Sequence, residues 1–348
     1  MDALQRLAVY HRLSFDGTVV GIAGSNGKSV VKEWLYQLLS IDKKVYQSPK
    51  SYNSQLGVAL SLWNLTSQYD IALIEAGISE PGEMERLQAL IQPEVGIFTN
   101  IGLAHAQNFI SKQAKLSEKL KLFQRSKVLI AGSKYVNADQ VSANIKLLQW
   151  GEEDSNEIQL LNQEPSGKGT QLTIKSKGYT HSFEIPFTDK ASIENVLTCF
   201  TAMTYFGYTE PLIIERLQQL RPLEMRLQLK KGIANSSLID DSYSNDLASL
   251  QISLDFLAQQ NQHSKKTLIL SDMEGLSGSE KFQEKLLGIL SRASISRMIW
   301  VGPDYKWLDS LSTTAIQRFA TTEDLLQQLE SLNIKDETIL IKGGRAFR

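Results

Sequence analysis

The stretch GIAGSNGKSVVKEWL, from Gly21 to Leu35, sets three glycines, a lysine and a serine ahead of a helical pattern. Small residues let consecutive backbone N–H groups converge on an anion, and the start of the next helix adds positive potential. In such a loop the ammonium of Lys28 reaches the β- and γ-phosphates of a nucleotide, and the hydroxyl of Ser29 ligates Mg2+. The flanks fit that chemistry. TVVGIAG reads as a buried strand, and Val31, Trp34, Leu35, Leu38 and Leu39 fall on one helical face. The spacing departs from G-x-x-x-x-G-K-[ST] in one respect: Ile22 stands where the first glycine belongs, and Gly21 precedes it.

The elements that must position this loop follow from the same periodicities. DIALIEAG, EVGIFTNI and SKVLIAG read as further buried strands with helical segments between them, which implies a mostly parallel sheet. From about Asn156 to Phe187 polar and apolar residues alternate, predicting antiparallel hairpins. Two helices follow, and RPLEMRLQ reads as a connection. Strand–helix alternation then resumes through SSLIDDSY, KTLILSDM, RMIWVGP and ETILIKGG. The fold class is therefore α/β, with one domain over residues 1–224 and a second over 225–348.

Bulk composition narrows the partners. The 348 residues carry a net charge of -1, so no basic field invites nucleic acid. No apolar run is long enough to span a bilayer, so no membrane partner is expected. The single cysteine, Cys199, allows no intrachain disulfide and fits a reducing cytoplasm.

Read together and in order, the motifs resemble the Mur ligases, the amide-forming enzymes of peptidoglycan synthesis. GSNGKSVVKEW resembles their ATP loop, including its offset glycine. SYNSQLGV, ALIEAGISEPGEM, TNIGLAHAQNF, RPLEMRLQ, IDDSYSND, LILSDMEGLSG and ILIKGGRAF follow in the family's order and cover nearly the whole chain. The resemblance implies a central P-loop ATPase domain, with a mostly parallel sheet and a small antiparallel subregion, then a Rossmann-like α/β domain. DDSY, SDM and the KG-R ending resemble the branch that adds D-alanyl-D-alanine to UDP-N-acetylmuramoyl-tripeptide, and KEWLYQLL, SPKSYNSQLGV, EAGISEPGEM and EKLKLF resemble a form of it fused ahead of an alanine racemase. The family's preceding UDP-binding domain and the racemase have no counterpart among these residues.

The resemblance also implies a site. ATP would be held by Gly24, Ser25, Asn26, Gly27, Lys28 and Ser29, with Asn195, Arg226 and Asp241. Two Mg2+ ions would be held by Ser29, Glu75, His105 and a carbamylated lysine, for which Lys119 is the match and Lys115 and Lys121 are rivals. Lys28, His105 and Lys119 would be catalytic, and Asn53, Ser242, Tyr243, Asn245, Lys342 and Arg345 would face the substrates. The implied reaction phosphorylates a peptide carboxylate with ATP, and the amine of D-alanyl-D-alanine then displaces phosphate. Glu224-Met225-Arg226 replaces a common Pro-Gly-Arg, and Glu194-Asn195 replaces a common His-Asn. By their residue types alone, Arg226 is also placed to pair with Glu224, and Asp240 and Asp241 to cap a turn. Two other readings stand beside this one: another Mur or folylpolyglutamate-type ligase, and a nucleotide-binding fragment inactive without the UDP-binding domain. A P-loop kinase or GTPase is disfavoured by the offset glycine and the second α/β domain.

Overall fold

Short apolar runs bounded by turn residues form the strands of this protein, and segments with 3.6-residue spacing cover them as helices. The computed structural model describes residues 2–102, 108–167, 169–273, 276, 279–303, 305–311 and 314–344. It divides into two units, Met1–Arg221 and Pro222–Arg348. In the first, α1 (Asp2–Leu13), β1 (Thr18–Ala23), α2 (Lys28–Leu39), β2 (Val45–Gln47), α3 (Gln55–Trp63) and β3 (Ile71–Glu75) are followed by α4 (Glu83–Ile91) and β4 (Val95–Phe98). Then come α5 (Lys112–Leu120), β5 (Val128–Gly132), β6 (Lys146–Gly151), β7 (Ile158–Ser166), β8 (Gly169–Ser176), β9 (Tyr179–Ile185), α6 (Lys190–Tyr205) and α7 (Glu210–Gln218).

The nine strands form one sheet in the order β2-β3-β1-β4-β5-β6-β7-β8-β9. Strand β1 pairs in parallel with β3 on one side and β4 on the other. The chain thus leaves β1 at a topological switch point, where open α/β sheets place ligands. The hairpins expected after Asn156 are present, but they extend the main sheet. Trp150 pairs in parallel with Ile158, and β8 and β9 add antiparallel strands beyond. Strands β2 and β6 were not evident in the sequence: the first has three residues, and KLLQWG lacks a continuous apolar run.

Helix α2 turns its apolar stripe to the core as its spacing requires. Val31, Trp34, Leu35, Leu38 and Leu39 are all at most 1% exposed. The Trp34 ring stacks on Phe187 at 4.4 Å, and its indole N–H donates to the Arg221 carbonyl at 3.0 Å. Gly21 has a packing role: a Cβ there would lie 2.9 Å from Pro93 Cβ. The first glycine of the motif therefore belongs to the strand, and Gly24 and Gly27 shape the loop.

The second unit contains β10 (Gln228–Lys231), β11 (Ser237–Asp240), α8 (Leu247–Gln259), β12 (Lys265–Ser271), α9 (Glu280–Leu290), β13 (Arg297–Val301), β14 (Ala315–Phe319), α10 (Thr322–Gln327) and β15 (Glu337–Lys342). Its sheet runs β10-β11-β15-β12-β13-β14, parallel except for β10. RPLEMRLQ is mostly a connection, but its last residue, Gln228, begins β10. Helix α10 stops at Gln327, and a 3-10 turn over Glu330–Leu332 follows it. Among the described residues, no helix is long and apolar enough to cross a membrane.

Trp34 joins a fully buried ring to a satisfied indole N–H. Trp34→Ala should destabilise the protein by about 3–5 kcal/mol, whereas Tyr10→Ala, at an exposed position, should stay within about 0.5 kcal/mol. Urea midpoints of the two variants check this, and equal midpoints would contradict the packing assigned to Trp34.

Candidate active site

Helix α2 begins without a side-chain cap. Its N-cap is Gly27, in the left-handed region at φ 81°. Most helices here satisfy their first N–H groups with a side chain, as Ser54, Ser111, Asp189, Asp246 and Ser279 do. An N-terminus without such a cap directs N–H groups and positive potential at an incoming anion. The Gly24 backbone, at φ 150°, also lies outside ordinary L-residue space, and a Cβ on Gly24 would come within 2.0 Å of Thr99 Oγ1.

The loop is held by the segment that follows β4. Ser25 N–H donates to Asn100 O at 2.9 Å, and Asn26 N–H donates to Asn100 Oδ1 at 3.0 Å. The Asn26 carbonyl accepts from Thr99 Oγ1 at 2.6 Å and from Asn100 Nδ2 at 3.1 Å. Lys28 Nζ folds back onto Gly24 O and Ser25 O at 3.2 and 2.9 Å. The Asn195 side chain, from α6, closes the other side: a Cβ on Gly27 would meet its Oδ1 at 2.5 Å.

A second cluster lies one residue further along α2. Ser29 Oγ donates to Glu75 Oε2 at 2.8 Å and lies 2.9 Å from Ser51 Oγ. Asn53 Nδ2 donates to Glu75 Oε1 at 2.7 Å. Glu75 is only 1% exposed, at the end of β3. These side-chain partners are neutral, so they satisfy its lone pairs without offsetting its charge. Such an oxygen set suits a hard cation that completes its shell with phosphate oxygens and water. No group of three or more His, Cys, Asp or Glu gathers among the described residues, and this kind of site does not need one.

Three lysines of helix α5 and the 3-10 turn that follows it have different fates. Lys119 is buried, and its Nζ donates to Gly24 O at 3.0 Å. Burial, then the charges of Lys28 and Lys115, hold its amine well below the usual lysine range. Lys115, also buried, donates to Gly102 O at 2.8 Å. Lys121 turns outward to Glu118 at 2.8 Å, and that pairing raises its pKa. Of the three, Lys119 is the one bonded to the glycine loop itself.

Glu194 anchors the start of α6. Its carboxylate accepts from Lys134 Nζ and Tyr135 Oη, each at 2.5 Å. Burial, then Glu194, push the Tyr135 hydroxyl pKa upward. Asn195, its neighbour, is thereby held where it meets Gly27.

In the second unit, polar residues gather at the C-terminal ends of β11, β12 and β15. Asp241 Oδ2 accepts from Lys342 Nζ and from Ser253 Oγ, each at 2.5 Å, and all three residues are buried. Burial lowers the Lys342 pKa against the pull of Asp241. Asp240 accepts from Ser242 N–H and Oγ and so serves the turn, while Asp241 makes the buried pair. The Arg226 guanidinium lies 4.2 Å from the Tyr243 ring and donates to Ser244 Oγ at 3.1 Å. Arg226 thus meets Tyr243 and Ser244, where the sequence offered Glu224. Asn245 Nδ2 donates to Ser271 O and Asp272 O.

Residues 22–203 match the model of the Mur ligase middle domain. The chain belongs to the Mur ligase family. Two similar relatives are UDP-N-acetylmuramoyl-tripeptide--D-alanyl-D-alanine ligases. The Bacillus subtilis enzyme is 28% identical over 100% of this chain and 78% of its own length. The Escherichia coli enzyme is 26% identical over 99% of this chain and 78% of its own. The crystal structure of Thermotoga maritima MurF in complex with ADP superposes with a TM-score of 0.83 at 22% identity, covering 100% of this chain and 81% of that one.

Within this Mur ligase the structure brings together Gly24 to Ser29, Glu75, Asn53, Lys119 and Asn195. It separately gathers Asp241, Ser242, Tyr243, Asn245, Lys342 and Arg226. His105 and Arg345 lie outside the described residues. Residue type and spacing did not mark Thr99 and Asn100, which hold the loop, nor Ser51 and Lys32. Thr99 and Asn100 lie inside the quoted motif TNIGLAHAQNF, directly after a buried strand, and that position was the available signal.

Gly27 combines a positive φ with a close neighbour. Gly27→Ala should force the loop away from its anion-binding shape, and ATP would have to restore it. The left-handed penalty of about 1–2 kcal/mol converts to a roughly five- to thirtyfold weaker Kd for ATP. Calorimetric titration checks this, and an unchanged Kd would remove Gly27 from the site.

Proposed function

We propose that this chain joins D-alanyl-D-alanine to UDP-N-acetylmuramoyl-tripeptide at the expense of ATP, in peptidoglycan synthesis. The observation that carries the reading is the loop-and-helix start with Lys28, set directly against the buried Ser29–Glu75 pair. Similarity to enzymes of that name along essentially the whole chain supplies the substrates. A carboxylate oxygen of the tripeptide attacks the γ-phosphorus, ADP leaves, and an acyl phosphate forms. The amine of D-alanyl-D-alanine then attacks the acyl carbon, phosphate leaves, and the nitrogen loses a proton.

The residues divide this work by charge and geometry. The N–H groups at the start of α2 and the Lys28 ammonium hold the transferring phosphoryl group, where preorganised donors are most effective. Ser29 and Glu75 would hold Mg2+, which spreads the negative charge of the phosphates when bound. Asn53 orients Glu75 through its hydrogen bond. The family resemblance extends the proposal. Asn195, Arg226 and Asp241 contact the nucleotide, His105 and a carbamylated Lys119 serve a second metal, and Ser242, Tyr243, Asn245, Lys342 and Arg345 handle substrate. Burial of Lys119 beside two other cations favours its neutral amine, the form that attacks CO2.

Phosphate release from Mg-ATP should require the UDP-linked tripeptide and D-alanyl-D-alanine together. Lys28→Ala should cut it by roughly two orders of magnitude or more, as loss of one preorganised donor does. Release independent of the dipeptide would leave an ATPase without ligation. After incubation with 13C-labelled bicarbonate, a carbamate resonance should be present and should vanish in Lys119→Gln while persisting in Lys121→Gln. The opposite pattern would move the carbamate to Lys121.

A further inference from the structure

Lys32 is 0% exposed and lies on the core-facing side of α2, one turn beyond Lys28 and Ser29. A buried ammonium is costly unless its donors find acceptors. Lys32 Nζ donates to Ser48 O at 2.6 Å and to Lys50 O, and it lies 3.6 Å from the Glu33 carboxylate. Both carbonyls belong to the segment between β2 and α3. Within it Lys50 adopts φ 48°, a left-handed conformation unfavourable for a residue with a Cβ.

That segment leads directly to the cation-binding pair. Ser48 N–H donates to Leu73 O at 2.9 Å, and Ser48 Oγ accepts from Glu75 N–H at 3.3 Å. Next to Lys50, Ser51 Oγ lies 2.9 Å from Ser29 Oγ. Asn53 N–H donates to Ser51 O at 2.8 Å, and its amide holds Glu75 Oε1. Gly77 N–H donates to Asn53 O at 2.9 Å, and a Cβ at Gly77 would come within 2.9 Å of Asn53 Cγ.

We propose that Lys32 is a positioning residue for the divalent-cation site. Its ammonium draws the Ser48 and Lys50 carbonyls onto α2 and so fixes Ser51 and Asn53 against Ser29 and Glu75. This role rests on the reading of Ser29 and Glu75 as cation ligands. One helix thus presents the phosphate lysine, the metal hydroxyl and the clamp for the metal's supporting loop within two turns. Lys28 and Lys32 divide the work: one faces the nucleotide, and the other holds the protein around the metal.

The test measures the Kd of ADP by calorimetry on the full chain, in EDTA and in saturating Mg2+. The ratio of the two reports the metal linkage. Lys32→Met keeps the side-chain length and removes all three donors. It should leave the metal-free Kd within about twofold and reduce the metal linkage about 10–100-fold, as loss of a supporting shell does. Lys32→Gln retains N–H donors for one carbonyl. It should keep part of the linkage, and it carries the test alone if Lys32→Met does not fold. Equal weakening with and without Mg2+ would make Lys32 a general structural residue and overturn the proposal, as would no change in linkage. A wild-type chain whose ADP affinity ignores Mg2+ would instead overturn the reading of Ser29 and Glu75.

Discussion

A carboxylate buried among neutral donors organises the first unit. Glu75 ends β3 with almost no exposure, and its two oxygens are taken by Ser29 and Asn53. Hydrogen bonds satisfy its lone pairs, but the charge itself calls for a cation. Everything around it is arranged to tolerate that demand. Helix α2 brings the serine, the segment after β2 brings the amide, and Ser48 holds the Glu75 backbone from the side. The sheet order makes this convergence unavoidable, because β3 lies directly between β1 and β2.

The glycine loop depends on the same convergence from the opposite flank. Strand β4 pairs with β1, so the residues that follow it, Thr99 and Asn100, emerge beside the loop and bond to Ser25 and Asn26. Two lysine side chains converge on this backbone: Lys28 and Lys119 both bond to Gly24 O. Burial, then the neighbouring Lys28 charge, hold the Lys119 amine below the usual lysine range, which leaves Lys28 as the cation that a triphosphate meets. The second unit repeats the theme on a smaller scale, with Lys342 buried against Asp241. Removing Asp241 alone would strand a buried charge, which costs far more than the pair contributes.

What the sequence showed depended on how local the signal was. The loop, the strand before it and the stripe of α2 are contiguous and periodic, and Val31, Trp34, Leu35, Leu38 and Leu39 proved to be core residues. The buried strands β1, β3, β4, β5, β12, β13 and β15 were legible because each is an apolar run with turns at its ends. Strand β14 was not, since AIQRF is largely exposed at a sheet edge and has no apolar face to declare. Strand β10 was hidden for the same reason, with QLKK nearly all exposed. Glu75 was marked by its place at a strand end, while Lys32 looked like an ordinary helix lysine.

The sequence alone determined the class of this protein. An ordered series of short motifs set the α/β architecture, the phosphate-binding loop and the family resemblance, because each motif combines residue type with a fixed local spacing. Only the tertiary structure decided which side chains meet. It brought Ser29, Ser51, Asn53 and Glu75 to one point across 46 positions of sequence. It separated Lys119, bonded to the loop, from Lys121, turned outward to Glu118. It turned Asp240 to its own turn and Asp241 to Lys342. Those outcomes depend on strand order and helix rotation, which sum contributions from the whole chain and leave no trace in any single stretch of it.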